Sequence, residues 1–336
     1  MGSGEDLVTT VSVALCTHNG ARFIQEQVRS ICMQTRPPVE IVLSDDASTD
    51  DGIELAQAAV ESCLNERPGL AIDLRILRNR PALRVTKNFE QAALACRGDL
   101  IALSDQDDVW LPHRLERMVA EFDKRPDLLL LHTDAELVDG ARKPIGHTLF
   151  HALEVKPFEL AWIHGGQAFD VFLRRNLVTG ATAMFRRSLL VQAAPFPKEW
   201  VHDEWLAIVA SAIGRVDVIE TPLIEYRQHE NNQIGASRDS FGAKVRKALS
   251  SRGTIHHERA HKAELLLQRL LSLGDQVEPI TIRKLRDKLV HQRFRAALPP
   301  SRVARCLPVL REAMTGRYDK FGRGLQGVVR DLFESV

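Results

Sequence analysis

The sequence predicts an α/β protein with a mostly parallel central sheet covered on both faces, and three observations carry that prediction. Short apolar, β-branched runs alternate with helical patterns through residues 9–139. Polar and acidic residues collect just after several of those runs. Beyond residue 237 the pattern turns helical and basic. Strand–helix alternation builds a parallel sheet with helices on either side, and such sheets hold ligands beyond the carboxyl ends of their strands.

The elements follow in order. VSVALC (11–16) reads as a strand, then THNG, then a helical pattern through RFIQEQVRSICMQ. EIVLSDD (40–46) is a second strand, and STDDGIELAQAAVESCL opens a second helix with Ser48 placed as its N-cap. DLRILRN (73–79) and VTKNFEQAALAC supply a third pair, and DLIALSD (99–105) and PHRLERMVAEFDKRP a fourth. DLLLLHTDAELVD (127–139) is a fifth strand. Residues 140–237 are less regular, with a helix expected at HDEWLAIVASAIG (202–214) and a strand at RVDVIETPLIEYR (215–227). In the tail, Pro308 and several glycines argue for short helices.

Composition narrows the class. A chain of 336 residues, 44% apolar, can bury one large core, or one core with an appendage. Residues 238–336 hold 21 Lys and Arg against 10 Asp and Glu, and the preceding residues hold 24 against 34, so an acidic body carries a basic tail. Five scattered cysteines with no CxxC pair argue against a disulfide framework or zinc knuckle. No apolar run reaches ~18–20 residues, so no membrane span is expected. MGSGEDL has none of the regions of a secretory leader. The expectation is a soluble, cytoplasmic protein.

The chemistry concentrates in LIALSDQDDVW (100–110). Carboxylates packed this closely repel one another and raise each other's pKa, so a positive partner is expected among them. In an extended segment Asp105 and Asp107 point the same way. Two carboxylates at a strand end suit Mg²⁺ or Mn²⁺ better than zinc. Taken alone, a DxD triplet is weak, and a solvated acidic turn reads equally well.

Here the sequence resembles a family. CTHNGARFIQEQVRSICMQT, VLSDDASTD, SDQDDVWLPHRL, HDEWLAIVAS and YRQHENN occur in the order seen in inverting family 2 glycosyltransferases, with the flavour of bacterial rhamnosyltransferase-like members. The resemblance covers roughly residues 9–237. It implies the Rossmann-like nucleotide-sugar fold termed GT-A over residues 1–237, followed by a C-terminal basic helical region, 238–336.

The resemblance also assigns roles. Thr17, His18 and Asn19 fall at the nucleobase, with His18 where the family has an aromatic Tyr. Asp45 and Asp46 fall on the acidic pair that accepts the pyrimidine N–H, the spacing favouring Asp46. Asp105 and Gln106 face the donor; Asp107, with Asp105, is the metal ligand, the cation bridging the diphosphate, and His229 completes the shell. Asp203 is the catalytic base, with adjacent Glu204 as its rival. Lys87 and Asn88 are expected at the donor, and Gly180, Thr182, Glu204 and Trp205 at the acceptor. Asp108 and Trp110 read as structural, and Arg227 as a phosphate contact.

The function implied is transfer of a sugar from a dTDP- or UDP-linked donor to a hydroxyl of a growing, lipid-linked surface polysaccharide. The lean is towards L-rhamnose from dTDP-β-L-rhamnose, with UDP-hexose and UDP-N-acetylhexosamine donors left open. An inactive nucleotide-sugar-binding module is the reading of another class. No motif supports nucleic-acid binding. The basic tail, with apolar residues at helical spacing, is expected to dock on the inner membrane or a partner, or to cap the core.

Overall fold

The computed structural model describes residues 8–228 and 255–334. Nine strands form one sheet, β1 Val11–Thr17, β2 Glu40–Asp45, β3 Asp73–Arg78, β4 Leu100–Ser104, β5 Val109–Trp110, β6 Leu128–Val138, β7 Pro144–Thr148, β8 Met184–Arg186 and β9 Arg215–Arg227. Their order is β3-β2-β1-β4-β8-β6-β9-β5, with β7 paired to β6. β1 pairs in parallel with both β2 and β4, β2 with β3, and β6 with β9. The other pairings are antiparallel, so the sheet is mixed beyond β4.

Among the described residues nine helices accompany this half, α1 Ile24–Cys32, α2 Gly52–Glu66, α3 Val85–Ala95, α4 Arg114–Lys124, α5 Leu149–Ala152, α6 Pro157–His164, α7 Ala168–Arg174, α8 Leu189–Ala193 and α9 His202–Ile213. Successive strand residues point to opposite faces. Val11, Val13 and Leu15 join α1, α2 and α4 in one apolar core, and Ala14 and Cys16 join α3, α7 and α9 in the other. Leu115, Met118, Val119 and Phe122 give α4 the stripe that seats it.

The sequence turns back between β1 and β4: β2 and β3 lie on one side of β1 and β4 on the other. The crevice at that reversal is where a doubly wound sheet binds its ligand. Thr17 and Asp105 stand at or just past its two lips.

Among the described residues five further helices follow, α10 Ile255–Ser272, α11 Pro279–Ala296, α12 Arg302–Met314, α13 Arg317–Phe321 and α14 Leu325–Phe333. Ala263, Leu266 and Leu270 of α10 and Leu285 and Leu289 of α11 enter the same core as Phe89 and Trp205. Two of these helices run 18 residues, and α12 continues through Pro308. From residue 302 onward the helices are short, as expected, and break at Gly316 and again between Phe321 and Leu325, but Pro308 does not interrupt α12, where flanking packing outweighs the one main-chain hydrogen bond that proline removes. Among the described residues no helix is long and apolar enough to cross a membrane.

Candidate active site

The loop after β1 is held by the loop after β4. The Gln106 side-chain carbonyl accepts from the Thr17 hydroxyl (2.7 Å) and the His18 N–H (2.8 Å), and its amide donates to the His18 carbonyl (3.2 Å). Thr17 and Gln106, expected at the donor, thus fasten the two lips of the crevice to each other. His18 and Asn19 remain exposed. The His18 ring is fixed by Nδ1 against the Asp46 carbonyl (2.7 Å). Asn19 takes a left-handed φ of 50°, which asparagine tolerates, and its side-chain oxygen accepts from the Thr49 N–H (2.9 Å).

Ser48 is not the cap of α2, which begins at Gly52. Its hydroxyl instead accepts from the Asn19 N–H (2.9 Å). Asp46 is buried and accepts from the N–H groups of Leu83 (2.6 Å) and Arg84 (2.8 Å), which ties β2 to the loop before α3. Asp45 accepts from the Ser48 N–H through Oδ2 (3.1 Å), while its buried Oδ1 has no partner among the described residues. Lys87 pairs with Glu90 (2.5 Å). Asn88 is 3% exposed and bridges the Ser44 carbonyl (3.0 Å) and the Asn79 amide (3.0 Å). It braces α3 against β2 instead of facing a donor.

Carboxylates converge beyond β4. Burial first, then the charges of Asp107 and Asp203, push Asp105 up to about 7. The Cys16 thiol, raised chiefly by burial, also feels Asp105 and Asp46. Groups from β1, β2, β4 and the start of α9 therefore share one electrostatic neighbourhood. Asp105 and Asp107 are only partly buried and offer hard oxygen donors, so they fit a divalent cation such as Mg²⁺ or Mn²⁺.

Asp108 is a different kind of residue. It is 1% exposed and accepts from the Arg227 N–H (3.0 Å), and burial followed by its acidic neighbours raises it well above the carboxylate range. Trp110 lies buried beneath the loop with the Arg114 guanidinium 3.9 Å over its ring. Arg227 is buried, and its guanidinium donates to Glu26 (2.6 Å) and to the carbonyls of Asp107 (2.6 Å) and Gly140 (2.8 Å). His229 lies outside the described residues.

Asp203 occupies the first turn of α9, where a carboxylate meets the positive end of the helix. Its Oδ2 accepts from the Gly180 N–H (2.8 Å) and its Oδ1 from the Glu204 N–H (2.6 Å). Burial raises it to about 6; the two N–H groups oppose that shift and the Glu204 charge adds to it. Gly180 is required there, because a Cβ would stand 2.6 Å from His202 Nε2. His202 itself stacks on Phe89 (3.9 Å between centroids).

Two residues expected at the acceptor are elsewhere. Trp205 is fully buried and donates to the Ala193 carbonyl (2.8 Å). Thr182 is fully buried, its hydroxyl donating to Thr179 O (2.8 Å). Glu204 pairs with Lys262 of α10 (3.0 Å), a contact that brings the C-terminal helices to the residue beside Asp203. Nothing local in the sequence marks Lys262.

Residues 12–192 match the model of glycosyl transferase family 2, and the chain belongs to that family. It is a glycosyltransferase with a GT-A-type α/β fold. An uncharacterized glycosyltransferase of Nostoc sp. is 24% identical over 237 residues, 68% of this chain and 67% of that protein. The dTDP-rhamnosyl transferase RfbG of Shigella flexneri is 24% identical over 245 residues, 69% of this chain and 77% of that protein. A Mycobacterium tuberculosis protein, Rv1520, matches at 26% across 65% of this chain and 59% of its own length. The S. aureus TarS structure with UDP-GlcNAc shares the fold, with a TM-score of 0.52 at 19% identity over 95% of this chain and 90% of that one.

Proposed function

We propose that this glycosyltransferase is metal-dependent and inverting, and that it moves L-rhamnose from dTDP-β-L-rhamnose to a hydroxyl of a growing, lipid-linked surface polysaccharide. The observation that carries the reading is the meeting of Asp105 and Asp107, beyond β4, with Asp203 on α9: Asp105 feels both other charges. Asp105 and Asp107 would hold the cation, and Asp203 would take the proton of the attacking hydroxyl. A bound divalent cation supplies charge neutralisation for the departing nucleoside diphosphate.

The chain's own residues account for the rest. The clamp of Gln106 on Thr17 and His18 holds the β1 loop against the β4 loop, leaving the exposed His18 ring to stack on the base. Asp46, fixed by two backbone donors, keeps lone pairs for a pyrimidine N–H, and Asp45 Oδ1 is a second acceptor nearby. Inversion needs a base on the face of the sugar opposite the leaving group. A carboxyl with its pKa near 6 is ionised at neutral pH yet still basic enough to accept a proton.

The donor preference rests on the Shigella relative, which is named a dTDP-rhamnosyl transferase and is matched over 77% of its length. Its test is nucleoside diphosphate release from dTDP-L-rhamnose, UDP-glucose and UDP-GlcNAc, with Mn²⁺ and a bacterial lipid-linked glycan extract as acceptor. Fastest release from dTDP-L-rhamnose is expected. Faster release from either UDP sugar would overturn the rhamnose assignment, and turnover of none would overturn the transferase chemistry drawn here.

A further inference from the structure

The terminal helices turn their polarity inside out. α12 buries Arg305, Val309 and Glu312, and α14 buries Asp331. Asp331 accepts from Arg295 Nη2 (2.6 Å) and Nε (2.7 Å) and from the Tyr318 hydroxyl (2.7 Å). The outer face is apolar instead. Val303, Leu307, Leu310 and Met314 of α12 are 84%, 57%, 54% and 88% exposed, and Leu325, Val329 and Phe333 of α14 are 76%, 47% and 55% exposed.

These residues form stripes. At ~100° per residue the four positions of α12 fall within an arc of ~60°, and the three of α14 within ~80°. Arg305, near the start of α12, donates to the carbonyls of Asp331 (3.1 Å) and Glu334 (2.8 Å) at the end of α14, so the helices run antiparallel. Val309 and Ala313 meet Val328 and Leu332 in the small core between them. On both helices the exposed stripe lies ~80–110° further round, in the sense of increasing residue number. For antiparallel neighbours that rotation puts the two stripes on the same side.

We propose that this face docks on an anionic lipid surface. Arg302, Arg311 and Arg323 are exposed on these helices and the segment joining them, as is Lys320, which pairs with Asp287 of α11 (3.5 Å). Of the carboxylates over 302–334, Glu312, Asp331 and Glu334 are buried and Asp319 is exposed, so the accessible charge is mainly positive. An apolar stripe flanked by Arg and Lys inserts at the headgroup boundary, and each cation near an anionic leaflet strengthens the attachment. A second copy of the chain is the poorer occupant, because two such cationic faces repel.

The test is flotation of the full chain with phosphatidylcholine vesicles, with and without phosphatidylglycerol, alongside its mass in solution by light scattering. A monomer that floats only with phosphatidylglycerol vesicles is expected. The triple variant Leu307→Ser, Leu310→Ser, Leu325→Ser should lower the partition coefficient at least tenfold while leaving the thermal transition in place, since all three side chains are exposed. The variant Arg302→Gln, Arg311→Gln, Lys320→Gln, Arg323→Gln should do the same. Failure of the unaltered chain to float, flotation unchanged in either variant, or a dimer that the triple variant splits would each overturn the proposal.

Discussion

Lowering the pH should switch the enzyme off through Asp203. Burial holds this carboxyl at about 6 in the folded protein, above the ordinary aspartate range, despite the N–H donors of Gly180 and Glu204. A base works only when ionised, so activity is full above that value and falls as pH drops through it. A group titrating there is ~90% ionised at pH 7, ~50% at pH 6 and ~10% at pH 5. The kcat/KM of the free enzyme should therefore drop about tenfold between pH 7 and pH 5, with a midpoint near 6. The assay is nucleoside diphosphate release at saturating Mn²⁺ across that range. Asp203→Asn should lose ~10²–10⁴ in rate and its remaining activity should lack the acid limb. Glu204→Gln should keep activity within a few-fold and move the midpoint down, because the Glu204 charge helps to raise Asp203. A flat profile to pH 5, or loss of activity in Glu204→Gln with retention in Asp203→Asn, would refute the assignment.

Other perturbations test the scaffold. Gly180→Ala brings a methyl group to 2.6 Å from His202 Nε2 and 3.6 Å from Asp203 Oδ2; steady-state kinetics should show at least a tenfold fall in kcat, and an unchanged kcat would mean that Gly180 does not position the base. Leu270→Ala removes a fully buried side chain that α10 contributes to the large core. It should destabilise the chain by ~2–5 kcal/mol in urea unfolding, whereas no change would show that α10 folds apart from the sheet.

The first half of the fold is legible because β1 and β4 are buried on both faces and read as nearly unbroken apolar runs, while the edge strand β3 shows as Leu74, Ile76 and Leu77 between charged residues. β1, β2, β3, β4 and β6 start and stop within two residues of the runs that announce them. The two-residue β5 and the three-residue β8 carry no such signal, since their pairing with β9, β4 and β6 comes from elsewhere in the chain. α9 shows why Trp205 was misplaced. Apart from the partly buried Ser211 and Ile213, its positions from 205 onward are buried, so no polar face reveals where any one side chain points. Asn88 and Thr182 failed for a related reason: a polar residue type marks a hydrogen bond, but its partner was the protein itself. The ion pair of Glu204 with Lys262 joins residues 58 positions apart, beyond any local pattern. The clustering of the acidic positions is legible because they follow β2 and β4 directly, but which of them brace the backbone, as Asp46 and Asp108 do, is decided by partners distant in the chain.

Whether a cation joins the donor to Asp105 and Asp107 is decided most directly by titration calorimetry of dTDP. The chelator-treated protein without added metal, the same protein with Mn²⁺, and Asp107→Ala with Mn²⁺ make the three arms. The account predicts binding that requires the cation and weakens at least tenfold in Asp107→Ala. Equal dTDP affinity with and without Mn²⁺, or equal affinity in the variant, would contradict it.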